Sequence, residues 1–515
     1  MKNINSWGKF LLAGALLLCF NNSCTNLDEQ LYQEYDGNEF TKVVAGTPPA
    51  KLVVGVYAPL ASGAFAGHNS VFSDNEVSTD EFIIPTRGGD WFDGGQWIRM
   101  HQHAYTKNED SFNNSWNAIY KAIATCNRLI VQLPIAHPTV AAGFVAEIRA
   151  LRAFYYFYIC DMFGTGPLFT KFPGDIAESS AKSRAELYAF VESELLAAMP
   201  NLSTDKAATY GRMNKYAAQA LLAKLYLNAQ VYTGAAQPDK CIAACDAAMA
   251  GGYTMEAKYA DNFIATNSAS KENIFVIPFD EATLGGFQIV QMTGHYETQK
   301  SFNLTAQPWN GYCTLAEFYD SYDATDKRRD ANFLAGPQFA ADGTTRLQDA
   351  SAESNDPDGK PLTFTKDLNE HFPGCLRQAG IRCGKYRPAL GASPDLNNDF
   401  PIFRLADVKL MKAEALFRKS AADVAALGLV NEVRVRAGVL PFLPTDMTLD
   451  NLLKERGREM FAEGWRRNDI IRFGKYFKKY DKYKLLDNEA ACKGIFPIPQ
   501  AQIDANASLK QNDCY

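Results

Sequence analysis

An apolar stripe between Phe144 and Met162 constrains the fold of this chain more than any other feature. Its members recur every three or four residues, which places them on one face of a single helix. Gly164 and Pro167 follow directly and are typical helix-ending residues. The stripe therefore predicts a long helix with one buried face, formed by Phe144, Ile148, Leu151, Tyr155, Tyr158 and Met162.

Similar periodicity predicts a mainly α-helical fold built from neighbouring helix pairs. Residues 217–229 alternate small and large apolar side chains, a pattern typical of closely packed, tetratricopeptide-like helix pairs. No regular repeat of roughly 34 residues is visible, so any such repeats are degenerate. The further predicted helices lie near residues 47–62, 111–133, 183–199, 213–232, 238–250, 404–419, 421–437 and 449–479.

Two long stretches, residues 63–110 and 252–402, have a different composition, rich in Gly, Pro, Asp, Asn and aromatic residues. A short strand-like run at residues 273–279 interrupts the second. Long loops within a compact domain are commonly functional. We therefore predict one domain over residues 24–515, whose helical scaffold (about 24–62, 111–250 and 403–515) carries two elaborated loop regions.

The first residues are typical of an export signal. Lys2 and Lys9 supply positive charges before an apolar run at residues 10–20. This run is about eleven residues long, whereas a membrane-spanning helix needs roughly 20. We therefore predict a removable signal peptide over residues 1–23.

Cys24 follows Ser23, and a small residue directly before a cysteine resembles the lipobox of bacterial lipoproteins. Asn21 departs from the aliphatic residue usual there, which leaves ordinary secretion as the alternative. The nearby Asp28 and Glu29 resemble the signal that sends lipoproteins to the outer face of the outer membrane. The expectation is a protein of the cell outer membrane, lipid-anchored through Cys24 and facing the exterior.

The net charge bears on the kind of partner, and the cysteines bear on disulfides and packing. The net charge of −6 argues against a nucleic-acid partner, because binding the phosphate backbone needs a concentrated basic face. Among the cysteines, Cys375 and Cys383 share one loop-like segment and could form a disulfide. Cys241 and Cys245, four apart on a predicted helix, are expected to be apolar packing residues.

Five sequence blocks together resemble one protein family, SusD/RagB. Residues 146–156 (AEIRALRAFYY) with 162–168 (MFGTGPL) match its helix and turn, and residues 403–415 (FRLADVKLMKAEA) match a second helix. The other matching blocks are residues 431–438, 455–474 and the tail 496–512, where Gln502 stands in place of the usual Glu.

This resemblance implies a non-catalytic surface lipoprotein that captures oligosaccharides. Its partner would be a SusC-like, TonB-dependent β-barrel transporter, over which the lipoprotein would act as a lid. The motif charges themselves are expected to be structural: Arg152 with Asp161, or Arg466 with Asp469, are charges of the kind that pair across helices and fix geometry. Ligand contacts should therefore lie outside the motifs, in the loops.

The first loop region offers a set of side chains suited to sugars. Sugar rings stack their C–H faces on aromatic planes, and their hydroxyls bond planar carboxylate, amide and guanidinium groups. Glycines 88, 89, 94 and 95 would let a ligand approach the backbone. The alternative is that a tryptophan caps the helical core. The candidates are Arg87, Asp90, Trp91, Asp93 and Trp97.

The second loop region supplies Tyr296, Trp309, Asn310 and Tyr312. The resemblance to starch-binding relatives implies that aromatic residues from both regions converge into one cradle. We expect no cofactor. His101 and His103 lie two apart without an evident third ligand, so no metal site is predicted there.

Three alternatives stay open from sequence alone. A glycoside hydrolase needs two carboxylates flanking the scissile bond, which a sequence with 58 acidic residues does not exclude, although no nucleophile elbow, phosphate loop or metalloprotease motif is present. The RagB branch of the family is associated with peptide uptake, and an open cleft that satisfies backbone amides would favour it. A purely structural scaffold would leave the aromatic loops unexplained.

Overall fold

A computed structural model describes residues 37–172, 179–349, 352–353, 356–357 and 360–515. The chain divides into two compact units at Gly46 and Thr47. Of the first unit the structure describes the helix Gly37–Gly46, and the predicted signal peptide and Cys24 lie outside the described residues. No helix in the described part of the chain is both long and apolar enough to cross a membrane.

The second unit, Thr47–Tyr515, is mainly helical, as predicted. The predicted helices are present, with ends shifted by a few residues, except that two of them are each divided in two. The main helices are Pro49–Pro59, Asp110–Ala136, Ala141–Tyr158, Arg184–Ala198, Lys215–Leu227, Ala229–Thr233, Pro238–Met249, Leu405–Lys419, Val424–Ala437, Leu449–Met460 and Arg466–Arg472.

The helix predicted from the apolar stripe is present, and we call it the stripe helix. Helix Ala141–Tyr158 continues into one wide turn, Ile159–Phe163, and packs between the helices before and after it in the chain. Gly164 ends it in the left-handed conformation, at a φ of 67°, where a side chain would be strained. From Ala150 to Tyr158 every residue is buried, so this helix runs through the core rather than along the surface.

Helix pairing follows chain order. Helix Lys215–Leu227 packs against Pro238–Met249, and Leu405–Lys419 packs against Val424–Ala437. In the first pair, alanines 217, 218, 220 and 223 are completely buried, and these small side chains let the helices approach closely. The prediction of tetratricopeptide-like pairs is confirmed in this arrangement.

The helix predicted over residues 449–479 is wrong as one element. It ends at Met460 and restarts at Arg466, because Ala462 and Gly464 adopt left-handed backbone conformations in between. The break turns Trp465 into the core, where its indole N–H donates to the Ile402 carbonyl at 2.9 Å. Apolar periodicity persists across the break, which explains why the sequence pattern does not reveal it.

The two loop regions contain short elements rather than pure loop. The first holds helices Val71–Val77 and Gln96–His101, and the predicted strand in the second is Asn273–Ile277, antiparallel to Phe400–Arg404. Most important for function, strand Phe82–Ile83 of the first region pairs with Cys313–Thr314 of the second. The remaining pairs are Gly166–Pro167 with Ala181–Lys182, Phe333–Leu334 with Arg382–Cys383, Gly336–Pro337 with Thr363–Phe364, Gln348–Asp349 with Lys360–Pro361, and Ala352–Glu353 with Asp356–Pro357. Short α-helices of the second region are Ile289–Thr293, Gln299–Phe302, Ala316–Tyr319 and Lys327–Asn332.

The motif charges are buried and paired, but not with the partners that the sequence suggests. Arg152 binds Glu194 at 2.5 Å, and Asp161 instead binds Arg467 at 3.3 Å. Arg466 reaches Asp80 in the first loop region at 2.6 Å. The motifs therefore tie helices and loops together, which agrees with a structural role.

One of the two cysteine predictions is confirmed and the other is wrong. Cys241 and Cys245 are buried packing residues, as expected, whereas Cys375 and Cys383 are both free thiols, so the disulfide considered between them is absent. Cys492 and Cys514 form a disulfide that the sequence did not single out. It ties the end of the chain to the segment after the last scaffold helix.

Candidate functional site

The candidate site lies where the two loop regions meet. Besides the strand pair, Arg87 stabilises the contact between the two loop regions. Its guanidinium donates to the backbone carbonyls of Leu376 and Ala379, the latter at 2.8 Å. Arg87 is fully buried. Because a ligand does not reach a buried side chain, the structure does not support the predicted role of Arg87 as a ligand contact. Arg87 instead links the two loop regions.

A tight turn beyond Arg87 presents the first tryptophan. Arg87 and Asp90 exchange backbone hydrogen bonds at 3.0 and 3.1 Å, and Gly88 between them has a φ of 60°. Trp91 follows with a φ of 66°, a conformation rare for a bulky residue. Such strain persists where surrounding contacts fix it and is common at functional sites.

The contacts that fix Trp91 come from the second loop region. Its indole N–H donates to the backbone carbonyl of Trp309 at 2.6 Å. Gly311 lies directly against the ring, since a Cβ there would fall 2.3 Å from Trp91 Cζ2. Trp91 and Trp309 are both half-buried.

His68, which the sequence analysis did not identify, stands at the centre of the aromatic cluster. Its ring centroid lies 5.0 Å from those of both Trp91 and Trp97, and 6.4 Å from that of Trp309. Burial lowers the pKa of His68 to about 4, against the opposing charge of Asp93. At neutral pH the imidazole is therefore uncharged and half-buried, a polar ring within an aromatic platform.

Tyr296 lies at the other side of the turn. Its hydroxyl donates to the exposed carboxylate of Asp90, and the guanidinium of Arg377 stacks over its ring at 5.3 Å. Burial raises the pKa of Tyr296, and its bond to Asp90 adds to the effect. Tyr296 thus stays a neutral, half-buried phenol, joined to the first loop region through a side chain rather than the backbone.

Three more predicted contacts are buried and act as supports. Trp97, on helix Gln96–His101, donates its indole N–H to Asp93 at 2.7 Å. Tyr312 bonds Ser73 at 2.6 Å, and Asn310 accepts from Arg382 at 2.8 Å. All three side chains are 0 % exposed, so a ligand reaches none of them in this conformation.

The candidate site therefore combines half-exposed Trp91, Trp309, Tyr296 and His68 with exposed carboxylates at Asp90 and Asp93. We call this set the aromatic cradle. Flat apolar faces with a few polar groups at the rim suit a ligand that is both ring-shaped and hydroxylated.

The histidines weighed as metal ligands have other partners. His101 bonds Asp481 and His103 bonds Glu489, each at 2.6 Å, and both imidazoles are buried. Across the described ranges, no group of three or more His, Cys, Asp or Glu side chains is placed to hold a metal ion.

Comparison with known proteins places this architecture in a family. Residues 271–515 match the model of the SusD family, and residues 60–227 match a model described as starch-binding associating with outer membrane. The starch-binding protein SusD of Bacteroides thetaiotaomicron is 30% identical over 423 residues, which cover 72% of each chain. A SusD-like protein of Formosa agariphila, P38, is 24% identical over 78% of this chain and 79% of its own. The chain belongs to the SusD family.

Solved structures agree on the fold. Surface glycan-binding protein A from Bacteroides thetaiotaomicron superposes with a TM-score of 0.73 at 23% identity, covering 90% of this chain and 98% of that one. The same protein in complex with laminarihexaose gives a TM-score of 0.72.

Proposed function

We propose that this protein is a non-catalytic, outer-membrane-associated glycan-binding protein that holds oligosaccharides and polysaccharides in the aromatic cradle. The observation that carries the proposal is the placement of two half-exposed indoles, Trp91 and Trp309, by a direct hydrogen bond between separate loop regions. Indoles offer large, rigid faces on which the C–H side of a sugar ring can stack. The starch-binding SusD relative and the laminarihexaose-bound neighbour support the choice of ligand class.

The setting of the protein is part of the proposal. Acylation of Cys24 after removal of residues 1–23 would anchor the chain to the outer membrane, facing the exterior. A SusC-like TonB-dependent β-barrel would receive the captured glycan, with this protein opening and closing above it as a lid. The export-like N-terminal sequence and membership of the SusD family support both steps.

The direct test is isothermal titration of the mature protein, from Thr25 onward, against plant, host and microbial glycans and mixed peptides. We expect saturable binding of one glycan class and no cleavage products. Trp91→Ala and Trp309→Ala should each abolish measurable binding, because hot-spot aromatics carry most of the binding energy. Phe339→Ala is the matched control, an exposed aromatic outside the cradle.

The other classes give different results in the same experiment. Saturable binding of peptides without glycans would support the RagB-like alternative and reject the proposal. Turnover of a glycan would identify a hydrolase. Binding that survives both tryptophan substitutions would place the ligand outside the cradle.

A further inference from the structure

We infer that the glycan site extends beyond the aromatic cradle along helix Asp110–Ala136 into a second aromatic groove, so that the protein selects long glycan chains over short ones. The inference rests on the proposed glycan-binding function. Three adjoining surfaces carry it: the cradle, a polar saddle beside His68, and an aromatic groove on the same helix.

The polar saddle is an open cavity of about 360 Å³ that begins at His68 of the cradle. Asn69 Oδ1 and Ser70 Oγ line it and are buried without a hydrogen-bond partner among the described residues. Ser70 is only 6 % exposed. A buried polar atom without a partner is costly, and a ligand rich in hydroxyl groups would supply the missing bonds.

The far wall of the saddle belongs to helix Asp110–Ala136, through Asn114 and Asn117. Asn117 also lines a larger groove of about 580 Å³. The two cavities therefore adjoin at one exposed amide side chain. From Asn114 to Arg128, the last helix residue in the groove, the helical rise covers about 21 Å, which is room for several sugar units in a row.

The second groove also has aromatic walls. Trp116 and Tyr120 lie one helical turn apart with ring centroids at 4.8 Å. Trp116 is buried, so the accessible rings are those of Tyr120 and of Phe172, which closes the groove from the segment after the stripe helix. Phe172 is 39 % exposed. Lys121 and Gln502 add polar groups to its lining. Apolar faces interrupted by a few polar groups fit a glycan better than a lipid or an apolar helix, which would leave those groups without bonds.

The orientation of Asn117 supports a continuous path. Its side-chain oxygen accepts a hydrogen bond from Gln502 Nε2 at 3.0 Å, and this interaction holds the amide at the junction. Gln502 also donates to Asn113 at 2.9 Å. A chain that passes from the saddle to the groove must cross this amide, which is exposed.

The test compares short and long probes on matched variants. Affinity electrophoresis in native gels containing amylopectin or laminarin measures long chains, and titration with maltotriose and laminaritriose measures occupation of the cradle alone. Phe172→Ala removes a groove ring. The control Phe339→Ala removes a phenylalanine of the same 39 % exposure elsewhere. Asn117→Ala probes the junction, and neither test residue belongs to the cradle.

We expect Phe172→Ala and Asn117→Ala to weaken polysaccharide binding roughly 3- to 10-fold, from the apolar area and contacts removed, and to leave trisaccharide affinity unchanged. The inference is overturned if both variants migrate like wild type while Trp91→Ala loses retardation, a result that keeps the cradle. Equal loss for long and short probes would overturn it too, since the change would then act through the cradle or the fold. If the wild-type protein binds no glycan in any panel, the proposed function fails first.

Discussion

The indole N–H of Trp91 donates to the backbone carbonyl of Trp309 across 218 positions of sequence, at 2.6 Å. This bond makes the cradle a joint property of two loop regions, because neither region alone fixes the angle between the two rings.

Replacing Trp91 by Phe keeps an aromatic face but removes the donor to Trp309. We expect glycan affinity to fall roughly 3- to 10-fold, in line with the loss of one net hydrogen bond of about 0.5–1.5 kcal/mol. Trp91→Ala should cost more, because the face is lost as well. Titration calorimetry on both variants, with circular dichroism as the control of folding, measures the difference. Wild-type affinity in Trp91→Phe would show that the hydrogen bond contributes nothing.

Gly311 is predicted to be a position where one added methyl group disrupts the site. A Cβ there would meet Trp91 Cζ2 at 2.3 Å, so Gly311→Ala must displace the indole. We expect binding to fall at least as far as in Trp91→Phe, because the displaced indole leaves its place in the cradle. Gly428→Ala is the control: no atom lies within 4 Å of its added Cβ, and the helix position favours alanine by up to about 1 kcal/mol. Wild-type affinity in Gly311→Ala would contradict the geometry.

Arg404 is predicted to be essential for stability rather than binding. It is fully buried and pairs with Glu272 at 2.7 Å, Glu463 at 2.6 Å and Glu459 at 3.1 Å. Arg404→Met should lower the free energy of unfolding by about 3–5 kcal/mol, since buried carboxylates lose their partner.

The control for Arg404 is Arg418, a half-exposed arginine that binds Glu414 at 2.8 Å. Arg418→Met should lower the free energy of unfolding by less than about 1 kcal/mol. Urea unfolding followed by fluorescence compares the two. Similar losses in both variants would mean that burial of the pair does not matter.

The buried carboxyl of Asp74 should make the stability of the fold depend on pH. Burial raises the pKa of Asp74 from 3.8 to about 7, although a hydrogen bond from Ser115 opposes the shift. Between these two pH values the folded state binds more protons than the unfolded state, so this group makes stability fall as pH rises through that window. Asp74→Asn cannot ionise and should therefore melt higher than wild type at pH 8.

The same variant should lose most of its relative gain at pH 4, where the wild-type carboxyl is protonated in the folded state and about half protonated in the unfolded state. Thermal melts at pH 4 and pH 8 measure this, with Asp513→Asn at an exposed position as control. A difference between Asp74→Asn and wild type that is the same at both pH values would exclude the buried carboxyl as its cause.

The sequence predicts the scaffold well because helical periodicity is a local signal. The stripe from Phe144 to Met162 and the stop at Gly164 need no information from distant residues. The break before Arg466 is different. It depends on the backbone of Ala462 and Gly464, whose left-handed conformations leave the apolar spacing intact and so leave no trace in the pattern.

The cradle is only partly predictable for the opposite reason. Trp91 and Trp97 share one loop and similar neighbours in sequence, yet Trp97 falls on the short helix Gln96–His101 and turns inward. The guanidinium of Arg87 donates its hydrogen bonds to backbone carbonyls almost 300 positions away in the sequence. His68 carried a weak signal, a polar ring after Gly67 at the start of a loop region, but its contacts with both tryptophans require the folded chain.

A crystal structure of the mature protein with an oligosaccharide of whichever glycan class the titrations identify would test directly whether the aromatic cradle binds the sugar. We predict sugar rings in van der Waals contact with Trp91 and Trp309, beside Tyr296 and His68. Density for the sugar elsewhere on the protein, with both indole faces bare, would contradict it.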